Sequence, residues 1–328
     1  MSARSDDHTD GATETAFDHA PVMRDEVVET FRAVPAGVVL DATLGGGGHS
    51  EALLDSRADL RVLGLDRDRE ALAAANARLA RFGDRVTTDH CRFDELDAAM
   101  ERHDIGELSG ALFDLGVSSP QLDRADRGFS YRNDGPLDMR MDGDAAWSAD
   151  DVVNGYDERR LADVIKRYGD ERFAARIAAA IVAARPVEST TQLAEIVTTA
   201  IPAAARRRGG HPAKRTFQAI RIEVNGELDA IPDALDKAID ALVVGGRVAV
   251  LAYHSGEDRI AKDRLRHAET GGCACPSDLP CVCGAIQTVR LVRGVAKRPT
   301  PDEQAHNRRA TSARYRVAEK IEPTRRSA

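Results

Sequence analysis

The chain has 328 residues, of which 42% are hydrophobic and 30% charged, and its formal net charge is −8. This length accommodates one large domain or two unequal ones, and the composition is that of an ordinary globular protein. No apolar run approaches the roughly 20 residues that span a bilayer, and the acidic, polar N-terminus is unlike a secretory signal. We therefore expect a cytoplasmic protein with no membrane partner.

The charge is distributed unevenly along the chain. Residues 285–328 contain 11 Lys or Arg against 4 Asp or Glu. A second basic cluster consists of Arg206, Arg207, Arg208, Lys214, Arg215 and Arg221. Two basic tracts on an acidic protein are compatible with an RNA partner, which binds a local patch, although a solvated face and a basic tail would give the same pattern.

Residues 1–17 are acidic and polar, and we expect them to be disordered. The first strong signal comes later, where an apolar, β-branched run ends at Asp41, four glycines occupy 45–48, and a helical segment covers 51–58. A strand, a glycine turn and a helix present backbone N–H groups and a helix N-terminus to a nucleotide-like ligand. Glycine suits this turn because it accepts positive φ and lets a ligand approach the backbone.

A second predicted strand, 60–65, ends at Asp66, 18 positions after Gly48. Folds of this kind place an acidic residue here, against the ribose hydroxyls of a nucleoside cofactor. The glycine turn does not match G-x-G-x-x-G, which disfavours NAD, and the chain has no G-x-x-x-x-G-K-[ST] motif for a triphosphate. An aspartate at a strand end before a short glycine turn resembles the first motif of S-adenosylmethionine-dependent methyltransferases.

Two further strands are predicted at 85–88 and 110–114. Phe93 follows the first of them, where it could pack against adenine or simply belong to the core. The second is followed by Ser118-Ser119-Pro120-Gln121. Methyltransferases that act on exocyclic amines usually carry Asp/Asn/Ser-Pro-Pro-aromatic at this position. The departure from that motif means that amine chemistry is suggested rather than established by these residues.

Residues 135–210 are predicted to form an inserted helical domain, because apolar residues recur there with helical spacing. One such stripe consists of Leu161, Val164, Ile165 and Tyr168. The stripes are typical of a core, not of a cofactor site. Since the insertion follows the loop after the fourth strand, we expect it to cover the active-site face and to help bind RNA.

The rest of the chain is predicted to return to the main domain. Residues 217–242 are helical, and a strand at 245–253 ends at His254, a candidate on the substrate side. Strand-like segments at 287–293 and 313–317 would complete a seven-stranded doubly wound sheet.

Seven sequence blocks occur together and in order. They are Asp41–Ser50, Asp114–Asp123, Arg127–Ser130, Gly135–Asp142, Tyr168–Phe173, His211–Ala219 and His254–Ile260. In these blocks the chain resembles the bacterial 16S ribosomal RNA (cytosine-N4)-methyltransferase family, known as RsmH or MraW, over about residues 18–320. The resemblance implies an α/β fold of the class I S-adenosylmethionine-dependent methyltransferases: a Rossmann-like, seven-stranded doubly wound sheet with an inserted all-helical domain.

Under this resemblance the chain divides into five parts. We expect disordered tails at 1–17 and 322–328, a methyltransferase domain in two parts at 18–134 and 211–321, and a helical substrate-recognition domain at 135–210.

The resemblance also implies a reaction and its site. The reaction would transfer a methyl group from S-adenosylmethionine to N4 of a cytidine in the decoding centre, near the P site, of 16S rRNA in the small ribosomal subunit. The implied cofactor-binding residues are Gly47, Gly48, His49, Asp66, Phe93, Asp114 and Gln121. Candidates for the base or amine acceptor are Asp114, Ser118, Ser119 and His254, and the sequence does not choose among them.

Two other functions remain open at this point. A methyltransferase of the same fold could act on another amine, in DNA, protein or a small molecule. A catalytically idle ribosome-assembly factor could also retain the fold. The sequence leaves open the oligomeric state, a homodimer included, and whether naked rRNA or only the assembled subunit is the substrate.

Four cysteines form a C-x-C…C-x-C pattern: Cys273, Cys275, Cys281 and Cys283. Four thiolates could bind zinc, but this spacing is tighter than the usual C-x₂-C pair, and we assign no metal ligands on the sequence alone. Disulfides are not expected in the cytosol. A fifth cysteine, Cys91, has the pattern of a buried thiol.

Overall fold

The computed structural model describes residues 21–206, 210–276, 282–307 and 310–325. The N-terminal tail that we predicted to be disordered, 1–17, lies outside these residues. Within them, none of the helices combines the length and the hydropathy that crossing a membrane requires.

One mixed sheet forms the centre of the described fold. Its seven strands are β1 (Gly37–Asp41), β2 (Leu60–Asp66), β3 (Val86–His90), β4 (Leu108–Asp114), β5 (Leu242–Ala252), β6 (Ile286–Leu291) and β7 (Arg314–Arg325). They lie in the order β3-β2-β1-β4-β5-β7-β6. Within this sheet β7 runs antiparallel to both β5 and β6, whereas β1 to β5 pair in parallel. This confirms the predicted α/β class with a doubly wound, seven-stranded sheet.

Helices cover both faces of the sheet. The first five are α1 (Arg24–Arg32), α2 (Gly48–Ser56), α3 (Arg69–Leu79), α4 (Leu96–Arg102) and α5 (Ser119–Asp123). The helices from α6 to α11 are α6 (Ala149–Gly155), α7 (Glu158–Gly169), α8 (Ala174–Ala183), α9 (Thr190–Ala200), α10 (Ala203–Arg206) and α11 (Lys214–Asn225). The last three are α12 (Glu227–Ala241), α13 (Ser255–Thr270) and α14 (Pro301–His306).

The alternation of side chains along each strand explains why helices pack on both faces of the sheet. In β4, Phe113 packs with α4, α12 and α13, whereas the neighbouring Leu112 packs with α1 and α2 on the opposite face. Because successive side chains of a strand point to opposite faces, a parallel strand covered on both sides needs a continuous apolar run. Because of that requirement, the central strands could be predicted from apolar runs in the sequence.

A separate apolar core supports the helical insertion. Its buried side chains extend from Phe129 to Ile220 and include residues of α6 to α9 and of α11. This core extends beyond the predicted insertion, 135–210, on both sides. We predicted a return to the sheet domain at residue 211; α11 packs in the helical core, whereas α12 packs against the sheet.

Close packing explains where α11 lies. Its Phe217 and Ala219 are buried in the core of the helical insertion. Gly169, at the end of α7, faces the backbone of α11, and a Cβ atom at this position would lie 2.6 Å from the carbonyl oxygen of Arg215. The missing side chain allows the two helices to approach closely, as small residues do at helix contacts.

The C-terminal boundary also differs from the prediction. We expected disorder from residue 322, but β7 continues to Arg325, where its last residues pair with the first residues of β6. Arg325 lies opposite Ile286, and Thr324 opposite Gln287. A neighbouring strand supplies backbone partners to a polar segment that has no apolar pattern of its own. Residues 326–328 lie outside the described part of the chain.

Three strands end in a carboxylate at the same edge of the sheet: β1 in Asp41, β2 in Asp66 and β4 in Asp114. Asp41 is the most deeply buried of them, at 2% exposure, and it connects β1 to α2 by accepting a 2.6 Å hydrogen bond from the Ser50 hydroxyl. Burial raises the pKa of Asp41 to about 6 from an ordinary value of 3.8, although the Ser50 hydrogen bond and the nearby His49 act in the opposite direction.

This raised pKa predicts a pH-dependent stability. Between pH 3.8 and 6 the folded state holds the Asp41 proton more tightly than the unfolded chain, so the free energy of unfolding falls as pH rises through this window. The Asp41 contribution changes by about 3 kcal/mol across it. We expect Asp41→Asn to remove this contribution, as measured by urea unfolding of both proteins at each pH.

Asp59→Asn is the control of opposite sign. The hydrogen bond from Arg57 holds the pKa of the exposed Asp59 below its ordinary value, so its contribution to stability is lost as pH falls. Equal pH slopes for the wild-type protein and Asp41→Asn would contradict the prediction.

Candidate active site

A cavity of about 1500 Å³ opens at the carboxyl edge of the sheet. Its wall combines the loops after β1, β2, β3, β4 and β5 with α11, α12 and the segment around α14. Ligand sites of doubly wound sheets lie at this edge, where the loops of neighbouring strands converge. Of the residues predicted for the cofactor, Gly48, His49, Asp66, Phe93, Asp114 and Gln121 line the cavity.

Asp66 is held in a fixed orientation by two backbone groups. Its carboxylate oxygens accept hydrogen bonds from the N–H of Gly45 at 2.8 Å and from the N–H of Asp68 at 2.9 Å. Burial raises the pKa of Asp66, although both hydrogen bonds favour the charged form. A carboxylate oxygen can accept more than one hydrogen bond, so Asp66 retains the capacity to bind two neighbouring hydroxyl groups.

The glycine turn divides its residues between two roles. Gly45, Gly46 and Gly48 line the cavity, whereas Gly47 is absent from its lining. A Cβ atom on Gly47 would lie 3.1 to 3.3 Å from the side chains of Leu79 and Ala75 in α3. Its φ of 77° is also in the left-handed region, so Gly47 supports the turn while the other three glycines line the cavity. The prediction missed Gly45 and Gly46, although the unbroken quartet contained them.

Phe93 forms one side of an apolar part of the cavity. Its ring packs edge-on against Phe113 with the ring centres 6.0 Å apart. Cys91 and Ile231 line the same cavity. A flat apolar group such as a purine ring suits this environment. Phe93 therefore packs against the hydrophobic core and also lines the cavity.

The end of β4 carries a three-residue polar cluster. Asp114 accepts a 2.7 Å hydrogen bond from the Tyr253 hydroxyl, and its other carboxylate oxygen lies 3.5 Å from Nε2 of His49. Burial and the charge of Asp114 raise the pKa of Tyr253 well above its ordinary value, so the hydroxyl remains a donor. Both ring nitrogens of His49 are buried without a hydrogen-bond partner among the described residues. These groups are available to a ligand.

His254 lines the cavity, but much of its bonding capacity is already used. It is the N-cap of α13, and its Nδ1 accepts hydrogen bonds from the N–H groups of Gly256 and Glu257. Its Nε2 lies 2.9 Å from a carboxylate oxygen of Glu257, although it forms no hydrogen bond among the described residues. Although burial acts to raise it, the pKa of Glu257 is lowered by its contact with His254 and by Arg221. His254 is therefore primarily a capping residue.

Gln121 holds the loop after β4. Its amide donates to Asp68 at 3.0 Å, and its side-chain oxygen accepts from the N–H of Ser118 at 3.0 Å. Arg127 donates to the same Asp68 carboxylate at 2.9 Å. Ser118 lines the cavity, and its hydroxyl oxygen is shielded from solvent without a hydrogen-bond partner in the described structure. The side chain of the other candidate, Ser119, lies outside the described part.

Three of these positioning residues were missed by the sequence prediction. Asp68 is the N-cap of α3, Glu257 completes a capping box with His254, and Tyr253 directly follows β5. An aspartate just before a predicted helix could have identified Asp68 as a cap, and the His-x-x-Glu spacing could have identified Glu257. Nothing local identifies Tyr253, because its partner is 139 positions away.

The helical insertion contributes an aromatic and basic rim. Tyr131 stacks on His211 with ring centres 4.5 Å apart, and the guanidinium of Arg132 lies 5.7 Å from the Tyr131 ring centre. Lys214, Tyr131 and Arg132 line the cavity. Such a rim suits a nucleic acid, whose bases stack on rings and whose phosphates attract cations.

Only some residues of the predicted basic cluster belong to this rim. Arg221 is largely buried and donates to both carboxylate oxygens of Glu227 at 2.8 Å. Arg206 donates to the carbonyl oxygens of Thr199 and Ile201. The two remaining arginines of that run, 207 and 208, lie outside the described residues. A run of positive charge in the sequence therefore does not mark a continuous binding surface.

The cavity residues fit S-adenosylmethionine. A fixed carboxylate is available for the ribose hydroxyls at Asp66, an apolar slot for adenine at Phe93, and unsatisfied polar atoms for the methionine end at His49. The glycines at 45 and 46 leave backbone accessible beside them. A carboxylate acceptor and an apolar slot suit the ribose and the adenine of this cofactor.

Comparison with known proteins agrees with this geometry. Residues 16–321 match the model of the MraW methylase family. A protein of Heliobacterium modesticaldum named Ribosomal RNA small subunit methyltransferase H is 48% identical over 311 residues, covering 93% of this chain and 99% of that protein. A protein of the same name from Mycobacterium tuberculosis (strain ATCC 25618 / H37Rv) is 49% identical over 327 residues, covering 95% and 82%.

Among solved structures, an rRNA methylase from Streptococcus thermophilus aligns with 91% of this chain and 94% of its own, at 14% identity and a TM-score of 0.39. This likeness is too remote to carry an argument. The assignment depends instead on the family match over most of the chain, on the strand order and on the cavity. The chain belongs to the MraW methylase family and is a class I methyltransferase that depends on S-adenosylmethionine.

Proposed function

We propose that this protein methylates N4 of a cytidine in the decoding centre, in the P-site region, of 16S rRNA within the small ribosomal subunit. The names of relatives that are 48% and 49% identical support ribosomal RNA as the substrate. The observation that carries the chemistry is the Ser118 hydroxyl, a buried acceptor without a partner among the described residues, in the loop directly after Asp114. Cytoplasmic localisation follows from this substrate.

Cytosine N4 is a weak nucleophile because its lone pair is delocalised into the ring. Acceptors for its two protons favour the pyramidal nitrogen that the reaction needs, and fixed positions lower the barrier further. Ser118 is suited to this role because Gln121 fixes its backbone while leaving its hydroxyl unbonded. Asp114 lies in the same wall and is oriented by Tyr253. His254 is less suited, because capping of α13 occupies its Nδ1.

Other residues of this chain would bind the cofactor. Asp66 would hold the ribose hydroxyls, Phe93 would pack on the adenine, and Asp114 with His49 would hold the methionine end. When bound, S-adenosylmethionine supplies a methyl group that its sulfonium makes reactive without a metal. The polar residues of the β4 loop then need only orient the amine and accept its proton.

The rim supports a nucleic-acid substrate. The Tyr131 and His211 stack offers a surface for a base, and the exposed Lys214 lies beside it for a phosphate. A target base inside a helix must leave its stack before its amine can enter such a cavity. The volume of about 1500 Å³ is large enough for a nucleotide beside the cofactor. A small-molecule amine would not need this rim.

The substrate is tested directly with small ribosomal subunits from a strain that lacks the gene. The subunits are incubated with the protein and methyl-labelled S-adenosylmethionine, and the labelled nucleoside is identified after digestion. We expect N4-methylcytidine at one decoding-centre position. Label in another nucleoside, or in protein, would overturn the target, and absence of label despite cofactor binding would favour the assembly-factor alternative. A parallel reaction with naked 16S rRNA tests whether assembly is required.

Asp66→Asn is expected to weaken binding of S-adenosylmethionine. Loss of the charged acceptor removes roughly 1.5–3 kcal/mol, which corresponds to about a 10- to 100-fold higher Kd by calorimetry. Asp144→Asn is the matched control, because Asp144 is exposed and pairs with Arg69 outside the cavity. Unchanged affinity in Asp66→Asn, or equal weakening in the control, would remove Asp66 from the proposed cofactor contacts.

Ser118→Ala is expected to reduce turnover by about 10²-fold, because one acceptor for the amine is lost. The Kd for S-adenosylmethionine should remain unchanged, since the Gln121 contact uses the backbone N–H of Ser118. Ser130→Ala removes another hydroxyl from the cavity wall and should have a small effect. Single-turnover methylation measures both variants, and full activity in Ser118→Ala would exclude Ser118 as the acceptor.

A further inference from the structure

A cluster of thiols lies outside the active site, in the connection between α13 and β6. The Sγ atoms of Cys273, Cys275 and Cys283 all lie within 4.8 Å of one another. None of the three forms a disulfide. They come from two C-x-C pairs, and the fourth cysteine of the pattern, Cys281, lies outside the described residues.

The spacing of the three sulfurs is close to that of a metal site. Zinc binds thiolates at about 2.3 Å in a tetrahedron, which places two sulfurs about 3.8 Å apart. Sulfurs within 4.8 Å of one another therefore need only a small inward movement to reach bonding distance. Thiolate ligands select zinc over the hard cations calcium and magnesium.

The surrounding chain offers little else to fix this connection. The large apolar side chain in its described part, Val282, is 89% exposed. The helix ends at Gly271 and Gly272, which both have φ in the left-handed region, and the three cysteines are partly or fully exposed. In the described part of this connection, Ala285 is buried but contributes only a methyl group. A segment with so little buried apolar surface gains little from packing, so a bound metal is an effective alternative source of order.

Cys91 differs from the three clustered cysteines. It is 8% exposed, and burial together with the nearby Asp89 raises the pKa of its thiol to about 12. A thiol of this kind stays protonated and does not ligate metals, because the ligand is the thiolate. The clustered cysteines are accessible to solvent instead, which permits metal entry.

The position of the cluster excludes a catalytic role. The helix α13 starts next to His254 at the cavity and has 16 residues, so its far end lies about 24 Å away. The connection returns from that end to the start of β6, where a Cβ atom on Gly271 would lie 2.3 Å from the carbonyl oxygen of Ile286. A metal here would fasten the helix end to the edge of the sheet.

We propose that Cys273, Cys275 and Cys283 bind one structural zinc ion. Tetrahedral zinc needs a fourth ligand. The candidate among the described residues is His267, which lines a small surface pocket together with Cys273 and Cys275.

The first test measures metal in the full-length protein, purified without a polyhistidine tag. Mass spectrometry of the metal content should find about one zinc per chain, falling to less than about a tenth in Cys273→Ser and Cys283→Ser. Cys91→Ala is the matched control and should retain its zinc. Zinc absent from the wild-type protein that also fails to take up added Zn²⁺, or zinc retained in both serine variants, would overturn the proposal.

Cobalt substitution identifies the ligands independently of folding yield. Co²⁺ bound in place of zinc should give thiolate-to-cobalt charge-transfer absorption, whose intensity scales with the number of thiolates. A loss of intensity in Cys273→Ser and in Cys283→Ser supports thiolate ligation, and a shift of the cobalt ligand-field bands in His267→Gln at unchanged charge-transfer intensity identifies His267 as the fourth ligand. Unchanged charge-transfer intensity in both serine variants would overturn the site. Absence of charge-transfer absorption in the wild-type protein would overturn the site. Chelation should lower the melting temperature while S-adenosylmethionine binding persists, since the cluster lies far from the cavity.

Discussion

The convergence of three carboxylates at one edge of the sheet is the constraint on which the site depends. Parallel pairing of β1 with β2 and β4 brings Asp41, Asp66 and Asp114 to the same end, where burial disfavours the charges of Asp41 and Asp66. Each is compensated by a donor from a neighbouring segment: a hydroxyl for Asp41 and Asp114, and two backbone N–H groups for Asp66. The glycine turn is therefore required twice, once to approach a ligand and once to bring an N–H to Asp66. The position of the carboxylates, the glycine turn and the position of the ligand site all follow from the parallel order of the strands.

Much of this fold could be predicted because its signals are local. A buried parallel strand is a short apolar run, and an aspartate directly after such a run must lie at the sheet edge. The residues that orient the site could not be found in this way. Tyr253 and Arg127 act on groups 139 and 59 positions away, and such contacts leave no pattern in a single sequence. His254 shows the opposite problem, since its position predicted a substrate contact but its ring caps a helix.

The extent of the helical core could not be predicted from the sequence for a related reason. Helical periodicity identifies the apolar side of α11, but it does not identify the surface that covers that side. Phe217 would fit either core by its chemistry, and only the close approach at Gly169 decides between them. The consequence is functional, because α11 connects the helical core to the cavity wall through Lys214 and Gln218. Any substrate bound by the helical insertion is thereby linked to the reacting end of the sheet.

The place of β7 has a consequence for biosynthesis. The last strand of the described chain lies between β5 and β6, and its Tyr315 hydroxyl donates to Thr30, 285 positions earlier. During translation β5 therefore presents an unpaired edge, and β6 has no neighbour, until β7 has emerged from the ribosome. Exposed strand edges pair readily with other chains, so the nascent protein is vulnerable to misassembly in the interval between the emergence of β5 and that of β7. The segment around α14 precedes β7 directly, so the cavity wall that it forms also has to wait for this late part of the chain.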